Sequence, residues 1–153
     1  MPTRGVFAQG SPAKLYTPYQ NVQGATITKG YAVAHAIAGN SFNGNAAVLP
    51  ASGTAGNLPG FVGVSDSDVA DTGYGLAQCW GFAASVFLSR TNTSVTINQG
   101  DPLVPGAAGG GLTSLAPSYA ASGFGFVLAS NVPVTTSLAV TAAYLSGLIR
   151  CNQ

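Results

Sequence analysis

Proton-moving chemistry near neutral pH has few candidates in this sequence: one histidine, His35, and four aspartates, Asp66, Asp68, Asp71 and Asp101, with no glutamate. A Ser-His-Asp site would have to recruit His35 with one of those aspartates. No Gly-x-Ser-x-Gly elbow occurs to present the serine. His35 shares its side of an alternating run with Val33 and Ile37, the setting of a core or interface histidine. The cluster Asp66-Ser67-Asp68-Val69-Ala70-Asp71 invites comparison with a calcium loop. Such a loop starting at Asp66 needs Gly sixth and Glu twelfth, where Asp71 and Ala77 stand, so Asx-turn chemistry in a loop is the expectation. No carboxylate pair stands out for glycoside hydrolysis. Cys79 and Cys151 make neither a CxxC pair nor a zinc set and read as small apolar residues. The run Gly106-Ala107-Ala108-Gly109-Gly110-Gly111 lacks the Lys-Ser/Thr of a phosphate-binding loop and reads as a turn. No catalytic, cofactor-binding or metal-binding residue is assigned, and no cofactor is expected.

Composition points away from chemistry as well. Charged residues make up 6% of the 153 positions, against roughly 25% in an ordinary soluble domain. The net charge is +1 with no basic run, so the clustered Lys and Arg that grip phosphate are missing and no nucleic-acid partner is expected. No stretch approaches the roughly 20 apolar residues that span a bilayer, and the first ten residues lack a secretory apolar run. A protein made on the cytoplasmic side, or carried in something assembled there, is the expectation. A near-neutral surface also weakens repulsion between copies and favours dense self-association.

The elements that would carry any site are predicted to be strands. In Tyr31–Ala38 one side carries Tyr31, Val33, His35 and Ile37, while the other carries only alanine, which permits close approach of a second layer. Further strands are expected at 46–49, 61–64, 74–80, 82–88, 94–97, 102–104 and 124–128. Turn-rich pieces lie at 50–60, 90–93 and 106–111. Residues 137–149 fit either a strand or a helical stripe, with Thr, Val and Gly147 favouring strand. Residues 1–25 hold three prolines and three glycines without a clear period, yet include Phe7, Leu15, Tyr16 and Tyr19. An extended arm on a neighbouring surface accounts for both features; an edge strand on its own domain is the alternative. The arm reading places Arg4, Phe7, Leu15, Tyr16 and Tyr19 at a partner contact and leaves the domain folded after deletion of residues 1–22. The expected organisation is an arm over 1–25 and one mostly β domain, a small barrel or sandwich, over 26–153.

An internal echo runs through that domain. Thr26-Ile27-Thr28-Lys29-Gly30-Tyr31-Ala32-Val33 parallels Thr96-Ile97-Asn98-Gln99-Gly100-Asp101-Pro102-Leu103, and each is followed by a Gly-Phe run, at Gly60–Val64 and Gly123–Val127. Two similar β units closing on each other would remove sheet edges.

The order of these phrases resembles the small decoration, or capsid cement, proteins of tailed bacteriophages. The matching stretches are Ile27–Val33, Ala47–Thr54, Phe61–Val64, Ile97–Val104 and Gly123–Leu128, from about residue 24 to the C-terminus. Tyr31 stands where an Asp is common, and the loop before Tyr74 lacks the usual Glu. The resemblance implies a non-enzymatic β-barrel on the outer surface of the virion. It would bind the major capsid protein of the HK97-type fold, associate with itself as a homotrimer, and resist the pressure of packaged DNA. The other reading is a glycan-binding or fibre-base β module using Tyr74, Trp80 and Tyr119.

Overall fold

Alternating small and apolar residues, with too few charges to support exposed helices, leave the chain one economical way to pair its backbone: as strands. The computed structural model describes residues 13–36, 44–50, 60–88, 102–105, 110–114, 126–130 and 143–150. Among them are nine strands and no helix: β1 (Leu15–Asn21), β2 (Ala32–His35), β3 (Ala46–Val48), β4 (Phe61–Ser65), β5 (Tyr74–Leu88), β6 (Pro102–Pro105), β7 (Leu112–Ser114), β8 (Phe126–Ser130) and β9 (Ala143–Arg150). The mostly β expectation holds. The ambiguous 137–149 segment is a strand from Ala143 onward, and the expected strands at 74–80 and 82–88 are one continuous β5. The expected strand at 94–97 lies outside the described residues.

Pairing closes the sheet on itself twice. The order is β1-β3-β2-β4-β5-β7-β6-β8-β9, and two further contacts, β1–β5 and β5–β9, complete two five-membered rings that share β5. The second ring repeats the first with every strand advanced by four. Thus β1 lies parallel to β3 as β5 does to β7, while β2–β3, β2–β4, β4–β5 and β1–β5 are antiparallel like their counterparts β6–β7, β6–β8, β8–β9 and β5–β9. The sequence echo marks this repeat. Its two phrases lead into β2 and β6, and Val33 and Leu103, matched in that alignment, are both fully buried. Closure leaves no long free edge in either ring, which is how small β proteins avoid uncontrolled strand addition.

β5 serves both rings because its 15 residues outrun either one. Tyr74–Trp80 pair with β1, and Trp80–Leu88 pair with β9. The hand-over falls at Gly81, whose φ of 97° favours glycine and whose Cα faces the Ala13 carbonyl oxygen at close range.

The first ring encloses Tyr19, Ile27, Val33, Ala47, Val62, Val69 and Ala77, with Tyr31 and Leu49 packed against them. Burial pushes the Tyr19 phenol above its ordinary pKa, partly offset by its 2.8 Å hydrogen bond with Ser65 Oγ. Tyr31 stacks on Phe87 with ring centroids 4.3 Å apart, joining β5's second half to the turn before β2.

Two corrections concern the N-terminal segment. The arm expected over 1–25 is, at 15–21, a strand of the first ring, paired with both β3 and β5. Tyr19, expected at a partner contact, is 1% exposed and belongs to the core. The prolines do not exclude a strand here: Pro18 lies in the ladder opposite Leu76, and Tyr19 and Asn21 alternate inward on either side of Gln20.

The Asp66–Asp71 loop is a staple. Ile27 and Val69 exchange backbone hydrogen bonds of 2.9 and 2.8 Å, while Asp71 Oδ1 accepts from Gly24 N–H and Asp68 Oδ1 from Lys29 N–H. Asn21, fully buried, anchors the same junction: its Nδ2 donates to the Ala25 and Val69 carbonyls and its Oδ1 accepts from Gln23 N–H. Asn21→Ala removes three hydrogen bonds from a buried position, although the Val69 carbonyl keeps its bond from the Ile27 N–H. It should lower stability by about 2 kcal/mol, read as a reduced urea midpoint at unchanged slope. A loss under about 0.5 kcal/mol would show that the staple holds without it.

Candidate interaction surface

The two strands that form the widest outward face carry no Asp, Glu, Lys, Arg or His anywhere in Leu15–Asn21 or Tyr74–Leu88. Strand alternation sorts β5 sharply. Ala77, Cys79 and Ala83 turn inward, while Tyr74 (76% exposed), Leu76, Trp80 (42% exposed) and Phe82 turn out; Gln78, on the same parity, is buried and divides the row into two pairs. Eight residues separate Tyr74 from Phe82, so the row runs roughly 26 Å at about 3.3 Å per residue.

β1 widens it. Leu15 lies opposite Trp80, Pro18 opposite Leu76, and Gln20 opposite Tyr74. The register shift between Leu15 and Tyr16 lets both adjacent side chains remain exposed, Leu15 at 58%. The result is an apolar, aromatic-rich face backed by a closed ring. Soluble monomers seldom leave contiguous patches of this kind open.

Of the residues expected at a partner contact, Leu15 and Tyr16 lie on this face, Tyr19 does not, and Arg4 and Phe7 lie outside the described residues. Tyr74 and Trp80, considered as sugar platforms, share it; Tyr119 lies outside the described residues. The sequence reading missed Leu76 and Phe82. Their signal was legible, since Tyr74, Leu76, Trp80 and Phe82 fall on one parity of a single strand; splitting that strand at Gly81 hid Phe82, and Leu76 has no aromatic ring to mark it as a sugar platform.

The chemistry-bearing groups are elsewhere. His35 is half-buried at the end of β2, opposite Ala47. Asp68 and Asp71 hold backbone N–H groups, and the Cys79 thiol is free, buried and within 3.7 Å of Thr17 Oγ1. Among the described residues no three His, Cys, Asp or Glu side chains gather as a metal site. No helix among them is long and apolar enough to cross a membrane.

Fold and surface together define a two-ring β protein with an exposed aromatic row on β5, whose own residues and those of β1 carry no charge, and with Arg150 of β9 in register with Trp80. Compared with protein-family models, curated proteins and solved structures, the chain matches none.

Proposed function

We propose that the protein is a non-enzymatic structural protein of a tailed-phage virion. In this reading it binds the outer surface of the capsid lattice through the β1–β5 face and stabilises the shell against internal DNA pressure. The supporting observation is the row Tyr74, Leu76, Trp80 and Phe82 with Leu15 beside it. Binding hot spots concentrate in such aromatic groups, and a stable contact buries roughly 1,200–2,000 Å² in total. Cement function asks for repeated complementary surface and needs no titrating group. The major capsid protein is the proposed partner, with further copies of this chain beside it as a homotrimer.

The test is co-sedimentation of purified protein with expanded shells stripped of it. The double variant Trp80→Ser/Phe82→Ser should bind at least ~10-fold more weakly with an unchanged far-UV spectrum, because truncating an interface anchor typically costs 2 kcal/mol or more. Wild-type occupancy should change less than about twofold between 50 and 500 mM salt, since β1 and β5 carry no charge of their own and one charged residue, Arg150, is in register with the row. Undiminished binding by the variant sinks the face; collapse in salt sinks the apolar account.

A second reading, a glycan-binding or fibre-base module, is favoured by the placement of Tyr74 and Trp80 on one exposed face. A glycan array separates the two: saturable binding of a defined sugar, lost in Trp80→Ser, would replace the capsid reading.

A further inference from the structure

Both lysines of the chain line one depression. Lys14 immediately precedes β1 and Lys29 lies in the turn before β2, yet the fold brings them to the same hollow of about 100 Å³ beside the middle of β5. Its wall includes Gln78, which is 3% exposed and whose Nε2 donates to the Trp80 carbonyl at 3.1 Å. It also includes Ala84 and Ser85, at the register shift that interrupts the β5–β9 ladder between Ala83 and Val86. Bulges of this kind recur where a sheet presents groups to a ligand. Asp66 is the one acidic residue among those lining it.

We propose that this depression is a carboxylate-binding site whose ligand is an acidic side chain of a partner protein. Charge selects the ligand. Two lysines against one aspartate in the lining leave the site one positive charge in excess, which a monoanion balances and a phosphate dianion overshoots. Asp68 keeps its charge and accepts from the Lys29 N–H through Oδ1, but it is not among the residues that line the hollow. Size selects as well: the hollow takes one head group, far below the roughly 300–1,000 Å³ of pockets that hold drug-sized ligands. Placement favours a side chain presented by a protein surface, because the hollow adjoins Tyr16 and Trp80, the cross-strand partner and near neighbour of Gln78 on the exposed apolar face. A charged contact at its margin would fix the register of an interface whose strands β1 and β5 carry no charge of their own. The site itself stands whether that interface meets a capsid or another protein.

The experiment is an amide-resolved NMR titration of the full chain at low ionic strength. The probes are the blocked peptide acetyl-Gly-Glu-Gly-amide, its Gln counterpart, sodium acetate and inorganic phosphate. The Glu peptide should shift the Gln78 side-chain amide and the Ala84 and Ser85 backbone amides saturably, and the Gln peptide should not. Lys14→Met/Lys29→Met should weaken the peptide about 3–10-fold, as expected for two solvent-exposed charge contacts. Asp66→Asn should tighten it, a direction that a merely structural role for these residues would not produce. Should the double lysine variant fail to fold, the Asp66→Asn shift and the Glu/Gln contrast still decide. No localised shift with the Glu peptide, or equal shifts with both peptides, overturns the site. Binding of acetate but not of the Glu peptide overturns the protein side chain as ligand, and tighter binding of phosphate overturns the charge argument.

Discussion

Deleting residues 1–22 should unfold the first ring, whereas deleting residues 1–12 should leave it folded. The longer deletion removes all of β1 and with it one of the five strands that close the ring. It takes Tyr19 out of the core and Asn21 out of the staple. It also strips the ladder partners of β5 from Tyr74 to Gln78 and uncovers the inward residues Ala77 and Cys79. Burying one large side chain is worth roughly 1.5–3 kcal/mol, and each stranded buried polar group costs about 1–3 kcal/mol. Their sum rivals the roughly 5–15 kcal/mol that holds an entire domain together. Thermal unfolding by near-UV circular dichroism reads the result: a cooperative transition for the 1–12 deletion and none for the 1–22 deletion. A cooperative transition near the wild-type temperature in the longer deletion would mean that β1 is dispensable. Capsid attachment by the 1–12 deletion then asks separately whether Arg4 and Phe7 contribute to binding.

This pair of deletions also locates where sequence reading stopped. Alternation found β2, β3, β4, β6 and β8, because each runs apolar and small residues between turn glycines. β1 escaped because three of its seven residues, Leu15, Tyr16 and Pro18, are exposed, and Tyr19 and Asn21 carry polar atoms despite being buried. A polar atom that finds its partner 46 or more residues away, as the Tyr19 hydroxyl finds Ser65 and the Asn21 amide finds Val69, leaves no local pattern. β7 escaped for another reason: three residues beside a glycine-rich run are too few for a period. The echo between Thr26–Val33 and Thr96–Leu103 was readable, but its meaning was not. Only the pairing reveals that β5 closes one ring and opens the next, and that a glycine inside the strand, Gly81, is a kink rather than a boundary. The candidate face was half legible for the same reason, since the residues on either side of Gly81 appeared to belong to different strands. The Lys14–Lys29 depression had no sequence signal, its two lysines being fifteen positions apart, one just before β1 and one in the turn before β2.

The second large effect is expected at Gly63, where a methyl group has nowhere to go. Gly63 pairs with Val33 in β2, and the Gln78 backbone of the neighbouring β5 lies against its Cα. A Cβ there would collide with the Gln78 carbonyl oxygen and lie 2.9 Å from the Gln78 carbonyl carbon. Those are backbone atoms, so no rotamer change relieves the contact; β4 and β5 would have to separate next to their Val64–Gln78 and Ser65–Ala77 pairs. Overpacking a core ordinarily costs about 1–3 kcal/mol, and a clash with backbone belongs at the top of that range. Gly63→Ala should therefore lose about 3 kcal/mol, a fall of roughly 6–12 °C in Tm for a domain of this size. Gly24→Ala is the control: Gly63 has φ +157° and Gly24 φ +80°, both outside the usual range of L side chains, but nothing lies within 4 Å of a carbon added at Gly24, so backbone strain of about 1–2 kcal/mol is its whole expected cost and the excess at Gly63 reads the clash. Gly63 also sits beneath Gln78, the buried wall of the lysine-lined depression, so the shift that accommodates a methyl should reach that site before it reaches Tyr74. Equal losses in the two variants would place the cost in backbone conformation and remove the β4–β5 contact as the element that fixes the exposed row.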